Sequence, residues 1–248
     1  MNKTVLITGG SRGIGKAIAK IFAANNYNII INYKNDDIKA LELKKELEKD
    51  YNVKVLLYKV DISDEENIIK MFDEIKEEFN FIDVIINNAG ISIDQILDDK
   101  TSKEFNEVLN TNLTGPFLIM KYGSKLMHSG SIINITSTNG IDTEYIESVD
   151  YDASKAGLIS LTRNFADALS PNIRVNAIAC GWVNTDMNKN LDEEFIKQEN
   201  KKILLGRFAE AKEIAEVAYF LSSDKASYIN KSIIRVDGGY KNVWWIKY

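Results

Sequence analysis

Tyr151-Asp152-Ala153-Ser154-Lys155 sets a phenol and an ammonium four residues apart, on one face of any helix that spans them. A free phenol titrates near pH 10 and is a sluggish acid or base at neutrality. A cation on the same face stabilises the phenolate and makes the phenol a better proton donor. With Ser137 upstream and a Gly-rich segment near the amino terminus, the pattern points to redox chemistry at a ketone or an alcohol. The pair alone is weak evidence, because a solvated helix face often carries the same two residues.

The elements that must position these groups follow from periodicity. Short β-branched runs at 4–8, 28–33, 54–60, 83–87, 131–136, 174–179 and 232–236 predict seven strands. Between them Ile14, Ile18, Ile21 and Phe22 recur at helical spacing, as do Ile68, Ile69, Phe72, Ile75 and Phe79. Ser63 with Glu66, and Thr101 with Glu104, predict capping boxes. Residues 211–222 predict another apolar-faced helix, and 181–206 a loop with one short helix. Alternation of this kind implies an α/β fold of the doubly wound Rossmann type, a parallel sheet with helices on both faces. No repeat, low-complexity tract or linker interrupts the 248 residues, so a single domain over 1–248 is expected.

Thr8-Gly9-Gly10-Ser11-Arg12-Gly13-Ile14-Gly15 lies where the first strand passes into the first helix. Glycines there let the backbone turn tightly against a pyrophosphate, and free amides at the helix start stabilise its charge. Composition narrows the partners. A net charge of -5 with no basic stripe disfavours nucleic acid. One cysteine, Cys180, and one histidine, His128, make a Cys/His metal site and an internal disulfide untenable and fit a reducing cytoplasm. The start MNKTVLITGG has no signal-peptide pattern, and no run approaches the roughly 18 apolar residues of a membrane span.

Over nearly its whole length the chain resembles the short-chain dehydrogenase/reductase family. The landmarks are TGGSRGIG, Asp61 after the third strand, Asn87-Asn88-Ala89-Gly90 after the fourth, Asn112, Ser137, YDASK, GWVNTDM and the closing VDGG. The resemblance implies an NAD(P)-dependent oxidoreductase. Gly9, Ser11, Arg12, Gly13, Ile14 and Gly15 would hold the pyrophosphate, Asp61 and Ile62 the adenine, and Asn88, Ala89 and Gly90 the sheet end beside the cofactor. Val183 and Thr185 would meet the carboxamide and a phosphate. Tyr33 stands where many relatives carry an acid that binds the ribose 2′-hydroxyl, and Lys34 follows it. With Arg12, Lys34 favours the 2′-phosphate of NADPH over NADH, while Asp36 and Asp37 argue the other way.

By the same resemblance Tyr151 supplies a proton, Ser137 orients the carbonyl, Lys155 lowers the Tyr151 pKa and holds the nicotinamide ribose, and Asn112 positions a water beside Lys155. The substrate is a 3-oxoacyl thioester on acyl carrier protein, or a free sugar, polyol, steroid or secondary alcohol; a regulator without catalysis is a third reading. An acidic carrier needs a basic dock. Lys121, Lys125, Lys197, Lys201 and Lys202 could provide one, whereas the acidic 140–150 segment, expected to border the substrate pocket, works against it. Residues 191–202 are expected to form a mobile lid. A homotetramer is implied, with Trp244, Trp245 and Tyr248 of the tail buried in a contact between copies.

Overall fold

Runs of isoleucine and valine become the strands of a parallel sheet. In the computed structural model, which describes residues 2–189 and 191–241, these are β1 (Thr4–Thr8), β2 (Asn28–Tyr33), β3 (Val55–Lys59), β4 (Val84–Asn87), β5 (Gly130–Ser137) and β6 (Ile173–Cys180). Two short strands follow, β7 (Val183–Asn184) and β8 (Ala209–Glu210), and then β9 (Ile233–Val236). The large sheet has the order β3-β2-β1-β4-β5-β6-β9, seven strands as expected, while β7 and β8 pair with each other as an unpredicted two-stranded ribbon. All six pairings of the large sheet are parallel. The order reverses between β1 and β4, and a crevice at the carboxyl ends of strands flanking such a reversal is the natural ligand site of the architecture.

The helices are α1 (Gly13–Ala24), α2 (Asp37–Tyr51), α3 (Glu65–Phe79), α4 (Ser102–Leu109), α5 (Gly115–Gly123), α6 (Val149–Leu169), α7 (Glu193–Lys202) and α8 (Ala211–Ser222). Strand side chains alternate between faces, so the sheet carries two cores. Ile7, Ile29 and Ile31 join Ile18 and Phe22 of α1 and Ile214 of α8 on one face. Leu6, Ile30 and Ile85 join Ile68 and Phe72 of α3 and Leu118 of α5 on the other.

Two local expectations change. Ser63 does not cap α3; the Asp64 carboxylate accepts from Asn67 N at 3.1 Å instead, and the Ser63 hydroxyl turns back to Asp61 at 2.8 Å. A carboxylate one residue nearer the helix is the stronger acceptor for its free amides. Ile69, placed on the apolar stripe, is 38% exposed, whereas Ile68, Phe72 and Ile75 are buried. The Thr101–Glu104 capping box forms as expected. Among the described residues of 181–206, α7 is the one α-helix. Asn242 to Tyr248, with both tail tryptophans, lie outside the described residues.

Candidate active site

The turn after β1 is shaped by close approach. Gly9 has φ +61°, and a Cβ on Gly15 would come within 2.3 Å of Gly9 O and 2.6 Å of Asn88 Nδ2, so backbone fills the space that a side chain would need. Thr8 Oγ1 accepts from Asn88 N at 3.0 Å and Ala89 N at 3.1 Å, which locks the end of β4 to the turn. The helix begins with no side-chain cap and no acid in its first turn. Its amino-terminal amides and positive end therefore face the cleft and suit a phosphate.

That cleft encloses about 460 Å³. It gathers Gly9, Ser11, Arg12, Gly13 and Ile14 of the turn, Tyr33 and Lys34 after β2, and Asp61 and Ile62 after β3. Asn88, Ala89 and Gly90 after β4, Ser137 of β5, Tyr151 and Lys155 of α6, and Val183 and Thr185 complete it. Gly15 and Asn112, both buried, are not among the lining residues. Sequence reading missed Thr111, Ile91, Met187 and Asn188, which also line the cleft. The rule that ligands sit beyond the carboxyl ends of strands would have flagged Ile91, Met187 and Asn188, which follow β4 and β7.

At one end Lys34 Nζ pairs with Asp61 Oδ2 at 2.6 Å. Burial raises the Asp61 pKa, but Lys34 and the two Ser63 hydrogen bonds outweigh it, so the carboxyl lies below its usual range. The two candidate acids separate. Asp37 turns away to Lys59 at 2.6 Å and accepts from Tyr33 Oη at 3.0 Å. Asp36 faces the cleft but is engaged as the cap of α2.

At the other end Tyr151 and Lys155 emerge from α6 beside the end of β5. Lys155 is buried, donates from Nζ to Ile135 O at 3.0 Å, and stands 5.3 Å from the Tyr151 ring centroid. Burial depresses the Lys155 pKa to about 8. The Tyr151 phenol is not lowered as its spacing from Lys155 suggests: burial, then the neighbouring Cys180 thiol, raises it above the ordinary value, with only the Ser137 hydroxyl pulling it down among its side-chain hydrogen bonds. The physical reason is desolvation, the largest of these causes, which penalises the charged phenolate. Cys180 is itself buried and pushed up to about 12 by burial, the state of an inert thiol.

Asn112 lies in a π-helical turn, Asn110–Thr114, between α4 and α5. Such turns re-aim side chains within an otherwise regular helix. Its amide is committed to protein partners, accepting from Ile91 N and donating to Ile91 O, both at 2.8 Å, and to Ser154 Oγ at 3.2 Å.

Two of the four acids in the segment before Tyr151 are held in ion pairs. Asp142 pairs with Arg235 at 2.7 Å, and Asp150 with Lys100 at 2.9 Å, the latter pair at 0% and 4% side-chain exposure. None of residues 140–150 is among the lining residues of the cleft, contrary to expectation. No group of acids, histidine or cysteine among the described residues could hold a metal ion.

A doubly wound sheet with a phosphate-fitting turn, and a serine, a tyrosine and a lysine on the same cleft, defines a nicotinamide-dependent oxidoreductase. The chain matches the enoyl-(acyl carrier protein) reductase family over residues 9–241 and belongs to the short-chain dehydrogenases/reductases. It is 39% identical over 241 residues to the 3-oxoacyl-[acyl-carrier-protein] reductase of Aquifex aeolicus (strain VF5), covering 96% of each chain. A protein of the same name from Staphylococcus epidermidis is 38% identical over 243 residues, covering 96% of this chain and 99% of that one. A short-chain dehydrogenase from Burkholderia cenocepacia J2315, solved in complex with NADP, superposes with a TM-score of 0.91 at 29% identity, over 96% and 97% of the two chains.

Proposed function

We propose that the protein is an NADPH-dependent reductase of 3-oxoacyl thioesters carried by acyl carrier protein. The observation that carries the reading is the convergence of Ser137, Tyr151 and Lys155 on the cleft that also presents the glycine turn, Arg12 and Lys34. Relatives named for this reaction support it across 96% of the chain.

NADPH fits the residues present. The glycine cradle leaves room for its pyrophosphate, and Lys34 and Arg12 supply two cations for a 2′-phosphate, with Lys34 exchanging Asp61 for the phosphate. When bound, the cofactor supplies hydride to the carbonyl carbon. Ser137 donates a hydrogen bond to the carbonyl oxygen and Tyr151 gives it a proton; a positioned acid is worth about 10²–10⁴ in rate. A phenol held above its ordinary pKa is fully protonated at neutral pH, the form that reduction requires. Lys155 holds positive charge beside the phenolate as the proton leaves and engages the nicotinamide ribose. Asn112 acts from behind, fixing Ile91 at the wall of the cleft.

With Asp142 and Asp150 paired, the objection to an acidic carrier weakens, and Lys197 and Lys201, exposed on α7, are the cations we assign to docking. Lys121 is less suited because it pairs with Glu65 at 2.9 Å. The chain functions in the cytoplasm as a homotetramer, and α7 moves as a lid over substrate. Among the described residues no helix is long and apolar enough to cross a membrane. A side-by-side assay of acetoacetyl thioesters, sugars and steroid ketones with NADPH and NADH tests the reading. Thioester reduction with NADPH should lead; a sugar or steroid turned over faster, or a preference for NADH, would overturn it.

A further inference from the structure

Ser137 ends a chain of hydrogen bonds that starts outside the cleft. Its hydroxyl has two acceptors in reach, Asn139 Oδ1 at 3.0 Å and the more distant Cys180 O at 3.4 Å, and it accepts from Asn139 N at 3.2 Å. The other end of the Asn139 amide is held by Asp152, whose Oδ1 accepts from Asn139 Nδ2 at 2.7 Å. Asp152 is anchored in turn, accepting from Tyr145 N at 3.2 Å and Ser148 Oγ at 3.4 Å. An ionised carboxylate can only accept, so it takes the NH₂ end of the amide and leaves the carbonyl end facing Ser137. Neither Asn139 nor Asp152 lines the cleft, whereas Ser137 does.

We propose that Asp152 and Asn139 are positioning residues for the reaction. Asp152 fixes the orientation of the Asn139 amide, and Asn139 fixes the rotamer of Ser137 and holds its proton on a neutral amide oxygen. A carbonyl oxygen that gains negative charge accepts more strongly than an amide does, so the Ser137 hydroxyl transfers its hydrogen bond to substrate as the charge develops. The device thus makes the Ser137 contact strongest in the transition state. Ser137 Oγ caps the short helical turn by accepting from the Asn139 backbone N–H, a bond that removal of the Asn139 side chain leaves in place, so truncation should alter orientation while sparing the local turn.

This inference rests on Ser137 as the partner of the carbonyl, and the test separates the two. Asn139→Ala and Asp152→Ala are made in the wild-type and the Ser137→Ala backgrounds and assayed on acetoacetyl-CoA with saturating NADPH. Each should lower kcat about tenfold, less than loss of a direct donor, with KM and NADPH affinity within about twofold. Neither should lower kcat further in Ser137→Ala, because groups that act as a unit are not additive. Wild-type kcat in Asn139→Ala, or losses that multiply with that of Ser137→Ala, would overturn the proposal while leaving the function intact. Full activity in Ser137→Ala would sink the serine's role and the proposal together. If melting curves show Asp152→Ala unfolded at the assay temperature, Asn139→Ala and Asn139→Ser carry the test.

Discussion

At Lys155, burial works against the charge that the chemistry needs. The ammonium has one carbonyl partner, Ile135 O, and its pKa falls to about 8. The sign of the consequence is fixed: below that pH the cation is present to stabilise the phenolate, and above it the cation is lost. kcat/KM for ketone reduction should therefore decline as pH rises through about 8, while the Tyr151 phenol, raised by burial, stays protonated over the same range. A rate profile from pH 6 to 10 checks this; an activity that climbs through pH 8 would contradict it. The residue types of this site were legible in the sequence, since Tyr151 and Lys155 share a helix face whatever the tertiary structure. Their pKa values were not, because desolvation depends on what covers them, and the sequence spacing carries only the attractive part of the balance.

Between elements, the informative contacts are ion pairs and carboxylate hubs joining segments far apart in the chain. Glu199 of α7 is 2% exposed and accepts from Tyr240 Oη at 2.6 Å, Tyr145 Oη at 2.9 Å and Trp182 Nε1 at 3.0 Å, with Lys202 Nζ at 2.5 Å. Burial raises its pKa, and these four donors more than offset it. They fasten α7 to the segment before α6, to the residue after Gly181 and to the segment after β9. Glu199→Ala should remove the shared acceptor of three half-buried donors and lower stability by about 1–2 kcal/mol, with KM for the thioester rising more than kcat falls. Thermal melts and steady-state kinetics measure both, and an unchanged KM would detach α7 from substrate binding. The Lys100–Asp150 pair is buried, with Lys100 Nζ also on Ile93 O, and immediately precedes Tyr151. Lys100→Met should cost about 3–5 kcal/mol by leaving a buried carboxylate unpaired, and adding Asp150→Asn should recover most of it. Denaturant titration of the two variants decides; equal losses would mean that packing, not charge, is at stake. Neither contact was legible beforehand, because Lys100 and Asp150 are 50 positions apart and Tyr240 and Glu199 are 41 apart.

For the whole molecule, strand and helix order followed from hydrophobic period, and the seven-stranded sheet has the expected members with ends shifted by a residue or so. The reversal between β1 and β4 puts the glycine turn, Asn88 and Tyr151 on one side of the sheet, and ordered landmarks in the sequence anticipate that convergence. The acidic 140–150 segment was harder. Its charges are plain in the sequence, but the pairing of Asp150 with Lys100 and of Asp142 with Arg235 requires the fold. Lys231 is similar: it takes φ +59°, the conformation that favours glycine, and its Nζ reaches Asp167 at 2.6 Å. The proposed chemistry turns on one step, delivery of a proton from Tyr151 to the carbonyl oxygen. Tyr151→Phe, assayed for NADPH binding by fluorescence and for acetoacetyl-CoA reduction, tests it most directly. Cofactor affinity should be unchanged and kcat reduced by at least about 10²-fold; turnover within a few-fold of wild type would mean that the proton comes from elsewhere.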